Sequence, residues 1–220
     1  MTLRIATSQP AGSADARHNG RTARQLMRRA AAEGARLIQF PEGFLSGYAK
    51  EQIADWDDVD WAAVHEELRA VSELAAELEI WVVLGSEHPL TPPHRPHNSL
   101  YVISDRGRVV TRYDKRFCSN TEITRFYSPG FEPVVFDVDG YRFGCAICIE
   151  VNFPLIGPDG SHLASVDTPE RPATVVLDRT APEFHIALDL ARPWRAEANR
   201  GDIYRSRRLD DPRSTDRTVV

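Results

Sequence analysis

Residues 35–48 read ARLIQFPEGFLSGY. A short apolar run is stopped by Pro41, whose ring removes a backbone donor, and Glu42 follows at once where a loop begins. Apolar side chains at consecutive positions suit a strand covered on both faces, as in a layered fold. Working outward, Asp15 to Gly34, DARHNGRTARQLMRRAAAEG, places Ala23, Leu26, Met27, Ala30 and Ala31 at helical spacing with Gly34 as the stop. Before it, LRIATSQP is a second buried strand closed by Pro10. On the other side, residues 60–79 put Trp61, Val64, Leu68, Val71, Leu74, Ala75 and Leu78 on one helical face, and IWVVLGSE is again a short strand. Strand, helix, strand, helix, strand in that order predicts an α/β layered fold.

Further along, the pattern changes. NSLYVISDRGRVVTRYDK alternates around Asp105 and Gly107, and VVFDVDGYRFGCAIC alternates around Asp139-Gly140, a pair that tolerates positive φ and marks a hairpin. After Pro154 come a turn, LIGPDG, and the strand-like ATVVLD and FHIALD. Residues 192–220 are Arg-rich but interleaved with acids, and read as a C-terminal tail packed on its own domain or on a partner subunit. The expectation is one domain over residues 1–220.

A net charge of −5 over 220 residues argues against a general affinity for nucleic acid, whose phosphates require clustered cations. No window has the apolar length that spans a bilayer, and MTLRIATSQP lacks the pattern of a secretory signal. Three cysteines suit a reducing compartment better than a disulfide framework. The composition therefore predicts a cytoplasmic protein without a membrane partner.

Two of those cysteines, Cys145 and Cys148, lie in YRFGCAICIEVNFP, residues 141–154. As one strand this run would put Cys145 with Tyr141, Phe143 and Ile147, and Cys148 on the opposite face. Thiols on opposite faces cannot pair. A zinc site needs four ligands, and no second Cys or His pair stands at matching spacing. His88, His94 and His97 are close in sequence, but interleaved prolines read as a mobile surface loop. Cys145 reads as core; Cys148, at the strand end, is better placed to meet solvent and substrate. On its own Cys148 reads as structural, and Glu42 and Lys115, each directly after an apolar strand, could simply mark the surface. Layered α/β folds nevertheless gather active sites at strand ends. A thiol needs a base beside it and a clamp for the oxyanion before it can act as a nucleophile.

FPEGFLSGY, GRVVTRYDKRF and CAICIEVNFP, in this order, resemble the Glu, Lys and Cys motifs of the nitrilase-like carbon–nitrogen hydrolase superfamily. TEITRFYSPG resembles the segment that carries the family's second glutamate, here Glu122. The resemblance implies an α-β-β-α four-layer sandwich, assembled as a homo-oligomer, dimer or larger. It implies Cys148 as nucleophile, Glu42 as general base, Lys115 as oxyanion stabiliser, and Glu122 as the group that positions substrate and keeps Lys115 charged. Glu150 would be a structural hydrogen-bonding group. No metal or organic cofactor is implied.

The substrate so implied is a small-molecule amide, N-carbamoyl compound or ω-amide. The residues after Cys148 are Ile-Glu and do not resemble the Trp-Glu of the nitrile-hydrolysing branch. Family members continue after the nucleophile motif's FP with an acidic residue, a helix and further strands before a GPDG-like turn. Here Leu155 follows Pro154 and the turn arrives directly, so the resemblance implies a shortened sandwich. That departure keeps open an inactive family member serving as a binding or assembly subunit. A thiol–disulfide protein using Cys145 and Cys148 is the third reading.

Overall fold

In the computed structural model the described residues are 2–119, 121–148, 150, 173–178 and 209–219, with backbone alone for 173–178. The elements in chain order are β1 (Thr2–Thr7), α1 (Ala16–Ala32), β2 (Leu37–Gln39), α2 (Trp61–Leu78), β3 (Trp81–His88), β4 (His97–Ile103), β5 (Val109–Asp114), β6 (Val135–Val138), β7 (Tyr141–Gly144), β8 (Ala173–Asp178) and a short α3 (Pro212–Thr215). A π-helical turn covers Glu122–Phe126.

Six strands form one sheet in the order β5-β4-β3-β2-β1-β8. β1, β2 and β3 are parallel neighbours, whereas β4, β5 and β8 run antiparallel to theirs. Parallel neighbours need long crossovers, and α1 and α2 supply them. Each helix starts where an aspartate caps it: Asp15 accepts from His18 N at 3.1 Å and Asp60 from Ala63 N at 2.9 Å. The face of the sheet carrying Ile38, Val82, Leu84, Tyr101 and Ile103 packs on Leu26, Met27, Leu68 and Val71 of the two helices. The opposite face, with Leu37, Val83, Leu100 and Val102, packs on Phe136, Val138 and Tyr141 of the β6–β7 hairpin. Asp139 and Gly140 turn that hairpin at φ 48° and 82°, as the sequence predicts.

The result is an α/β sandwich of the expected class, shortened: among the described residues the second sheet is the two-stranded hairpin, and Val135 on it is 66% exposed. The strand expected at ATVVLD is β8, on the edge beside β1. The turn LIGPDG, the run FHIALD and the departure after Pro154 lie outside the described residues, as does residues 192–208 of the tail. No helix among the described residues is long and apolar enough to cross a membrane.

Two expectations are corrected. The strand does not run through Cys148 but ends at Gly144, because Glu150 draws the chain into a turn by accepting Ile147 N at 2.8 Å. The faces hold all the same: Cys145 packs in the cluster with Tyr141, Phe143 and Ile147, and Cys148 is exposed. The histidines are the second correction, since His88 and His97 are buried partners across β3 and β4 rather than part of a mobile loop. His88 Nδ1 bonds Tyr101 Oη at 2.7 Å, and His97 Nδ1 bonds the Ser128 carbonyl at 2.8 Å. Their other ring nitrogens meet the Arg213 carbonyl at 3.0 Å and Ser214 Oγ at 2.8 Å, so both receive α3. Arg112, buried against Asp114, donates to the Arg213 and Asp216 carbonyls of the same segment.

Candidate active site

Glu42 owes its place to an absent side chain. The chain leaving β2 runs against β3 so closely that a Cβ on Gly85 would lie 1.8 Å from the Pro41 carbonyl oxygen. Only glycine permits this approach. Lys115 directly follows β5, its N–H donating to the Asn98 carbonyl at 2.8 Å and its carbonyl accepting from Gly130 N at 2.8 Å.

The ammonium of Lys115 is wholly buried and stands between two carboxylates, 2.8 Å from Glu42 Oε1 and 2.8 Å from Glu122 Oε1. Glu122 is itself held by Tyr48 Oη at 3.0 Å and by Ser119 N at 2.6 Å. Asn98 Nδ2 donates to Glu42 Oε1 at 2.6 Å. Burial opposes the charge on Lys115, but the two carboxylates outweigh it and hold the ammonium above its ordinary pKa. Burial likewise pushes Glu122 up, and the Lys115 hydrogen bond overrides it, leaving that carboxyl below the usual range. Lys115 is therefore a fixed cation and Glu122 a fixed anion at neutral pH.

Cys148 sits in the turn after β7 at φ 51°, a left-handed conformation that a non-glycine residue holds at a cost of about 1–3 kcal/mol. Glu150 ties this turn to the lysine. Its carboxylate accepts Ile147 N at 2.8 Å, Arg116 N and Phe117 N at 2.9 Å each, and the Tyr113 hydroxyl at 2.8 Å. The structural role expected of Glu150 is what the geometry shows. Burial pushes the thiols of Cys118 and Cys145 up to about 12 each, which disfavours their thiolates; Cys148 is the exposed cysteine.

A cavity of ≈ 430 Å³ lies between the main sheet and the hairpin. Its walls include Leu37, Val83, Phe136 and Phe143, and both Glu42 and Cys148 line it. The fold thus brings Glu42, Lys115 and Glu122 into one hydrogen-bonded chain and sets Cys148 on the same cavity as Glu42. The sequence reading missed Asn98, Tyr48 and Glu87. Glu87 is wholly buried, accepts from Tyr127 Oη at 2.7 Å, and is pushed well above the ordinary carboxylate pKa by burial. A carboxyl inside the apolar run IWVVLGSE was the available signal. Asn98 had none, since what it touches is set by strand pairing.

Residues 4–168 match the family profile described as carbon-nitrogen hydrolase. A hydrolase of Mycobacterium tuberculosis is 31% identical over 162 residues, which cover 70% of this chain and 55% of the relative. An omega-amidase of Homo sapiens is 25% identical over 136 residues, covering 58% and 48%. Among solved structures, an amidase from Nesterenkonia sp. superposes with a TM-score of 0.67 at 18% identity, over 87% of this chain and 96% of that one. The chain spans about half the length of the curated relatives it matches.

Proposed function

From the premise that the chain belongs to the carbon–nitrogen hydrolase family, we propose that it hydrolyses a non-peptide C–N bond of a small molecule through Cys148. The observation that carries this reading is the buried Lys115 ammonium bonded at 2.8 Å to each of Glu42 and Glu122, beside a cavity shared by Glu42 and Cys148. The substrate is a small amide or N-carbamoyl compound whose apolar part lies against the cavity's aromatic and aliphatic walls. A solved relative fits this chemistry: one variant of the amidase from Nesterenkonia sp. carries the acetamide moiety of fluoroacetamide added covalently at its active-site cysteine.

In the proposed cycle Glu42 takes the Cys148 thiol proton as sulfur bonds to the carbonyl carbon. The oxyanion that forms faces Lys115, whose charge Glu122 sustains. The tetrahedral intermediate collapses, the C–N bond breaks, and the departing amine takes the proton from Glu42. Glu42 then deprotonates a water, which attacks the thioester, and the thiol is regenerated as the acid leaves. Overall one water is consumed, and one amine and one carboxylic acid are released. Cys148→Ala should abolish ammonia release across a panel of small amides and carbamoyl compounds while leaving the circular dichroism spectrum unchanged; undiminished turnover would reject the assignment. The chain is further proposed to act as a homo-oligomer, which light scattering during gel filtration tests.

The departure from the family pattern after Pro154, where Leu155 and the GPDG turn follow directly in the sequence, favours a second reading, an inactive binding or assembly subunit. The alkylation rate of Cys148 near neutral pH separates the two: the hydrolase requires a thiol faster than a free cysteine, and the inactive subunit does not.

A further inference from the structure

The β3–β4 ladder places Glu87 directly opposite Asn98, and both are wholly buried. Opposed residues of antiparallel strands have Cβ atoms about 4.5–5.5 Å apart, within reach of a carboxyl and a carboxamide. Asn98 turns its Nδ2 toward Glu42 Oε1 at 2.6 Å. The reverse orientation would set its oxygen against a carboxylate. Its Oδ1 is therefore committed to the other side, where it has no donor among the described residues; Glu87 Oε2 lacks one too. Glu87 and Asn98 are opposite one another in the ladder, and two buried acceptors within reach of each other are satisfied together if one of them carries a proton.

We infer that Glu87 is a neutral carboxylic acid whose proton is donated from Oε2 to Asn98 Oδ1, so that Glu87 positions, through Asn98, the glutamate assigned as general base. The catalytic half of this inference rests on the hydrolase reading; the protonation does not. Tyr127 Oη, donating to Glu87 Oε1 at 2.7 Å, leaves Oε2 as the protonated oxygen. The carboxyl also lies against the start of the Glu42 loop, since a Cβ on Gly43 would stand 3.1 Å from Glu87 Oε1. The charged groups acting on it are Glu42, Lys115 and Glu122. With one ammonium already shared by two carboxylates, a third anion would be uncompensated, and burial raises the Glu87 pKa accordingly. The resulting relay is Tyr127, Glu87, Asn98, Glu42, each donating to the next acceptor.

The test is difference infrared spectroscopy of the full chain near pH 7, wild type against Glu87→Gln, together with kinetics. The wild type should show a protonated-carboxyl C=O band that Glu87→Gln lacks. Glutamine can still donate to Asn98 Oδ1, so Glu87→Gln should keep kcat within about threefold. Glu87→Leu, of similar bulk without a donor, should lose about tenfold to a hundredfold in kcat with KM little changed. Absence of the band overturns the inference whether or not any amide is turned over, and a missing activity with the band present counts against the hydrolase reading alone. Equal kcat losses in the glutamine and leucine variants would overturn the positioning role.

Discussion

Replacing Glu150 with alanine tests the tie between the nucleophile turn and the lysine loop. The carboxylate accepts from the backbone N–H groups of Ile147, Arg116 and Phe117 and from the Tyr113 hydroxyl, and Glu150 is 5% exposed. Each buried donor left without an acceptor costs about 1–3 kcal/mol, so the three N–H groups together represent about 3–9 kcal/mol. Against this, alanine relieves the burial that raises the Glu150 pKa, and water can enter the vacated space to meet some of the donors. The net loss should be about 3 kcal/mol, a large part of the ~5–15 kcal/mol by which domains are stable. Glu150→Gln should lose only about 1–2 kcal/mol: its oxygen can still accept from Arg116 N and Phe117 N, while its amide nitrogen faces the Ile147 N–H donor to donor. Urea unfolding followed by far-ultraviolet circular dichroism measures both. A loss below about 1 kcal/mol for alanine, or equal losses for the two variants, would refute the clamp.

Lys115→Met should destabilise by about 3–5 kcal/mol, because it leaves Glu42 and Glu122 without the ammonium between them, and thermal unfolding would expose the error if the variant melted like wild type. Gly85→Ala should displace the Glu42 loop, since the new Cβ would fall 1.8 Å from the Pro41 carbonyl; a wild-type melting temperature together with wild-type turnover would count against that packing. The pH dependence has a definite sign. Glu87 has its folded-state pKa raised, so the folded chain keeps a proton that the unfolded chain has released, and stability from this group falls as pH rises from the ordinary carboxylate value towards the raised one. The stability difference between wild type and Glu87→Gln should therefore decline across that window with a slope approaching about 1.4 kcal/mol per pH unit, and a pH-independent difference would show Glu87 to be ionised.

What the sequence determined by itself is local. Consecutive apolar residues in LRIATSQP and IWVVLGSE need cover on both faces, the helical stripes of residues 15–34 and 60–79 supply it on one, and Asp139-Gly140 selects a tight hairpin by its tolerance of positive φ. Glu42 and Lys115 stood out as charges directly after buried strands, but that pattern equally marks a surface, and it was the family resemblance that set them in one site. Tertiary structure decided the rest. His88 and His97 looked like loop residues among prolines, yet β3–β4 pairing buries them, and the strand through Cys148 was cut short by a carboxylate two residues beyond it. Whether Asn98 meets Glu87 depends on the register of two strands, and whether Glu42 meets Lys115 on two loops from different parts of the sheet. Periodicity records which residues must leave water; it carries no information on which buried polar group meets which, because those meetings are fixed by strand order and register.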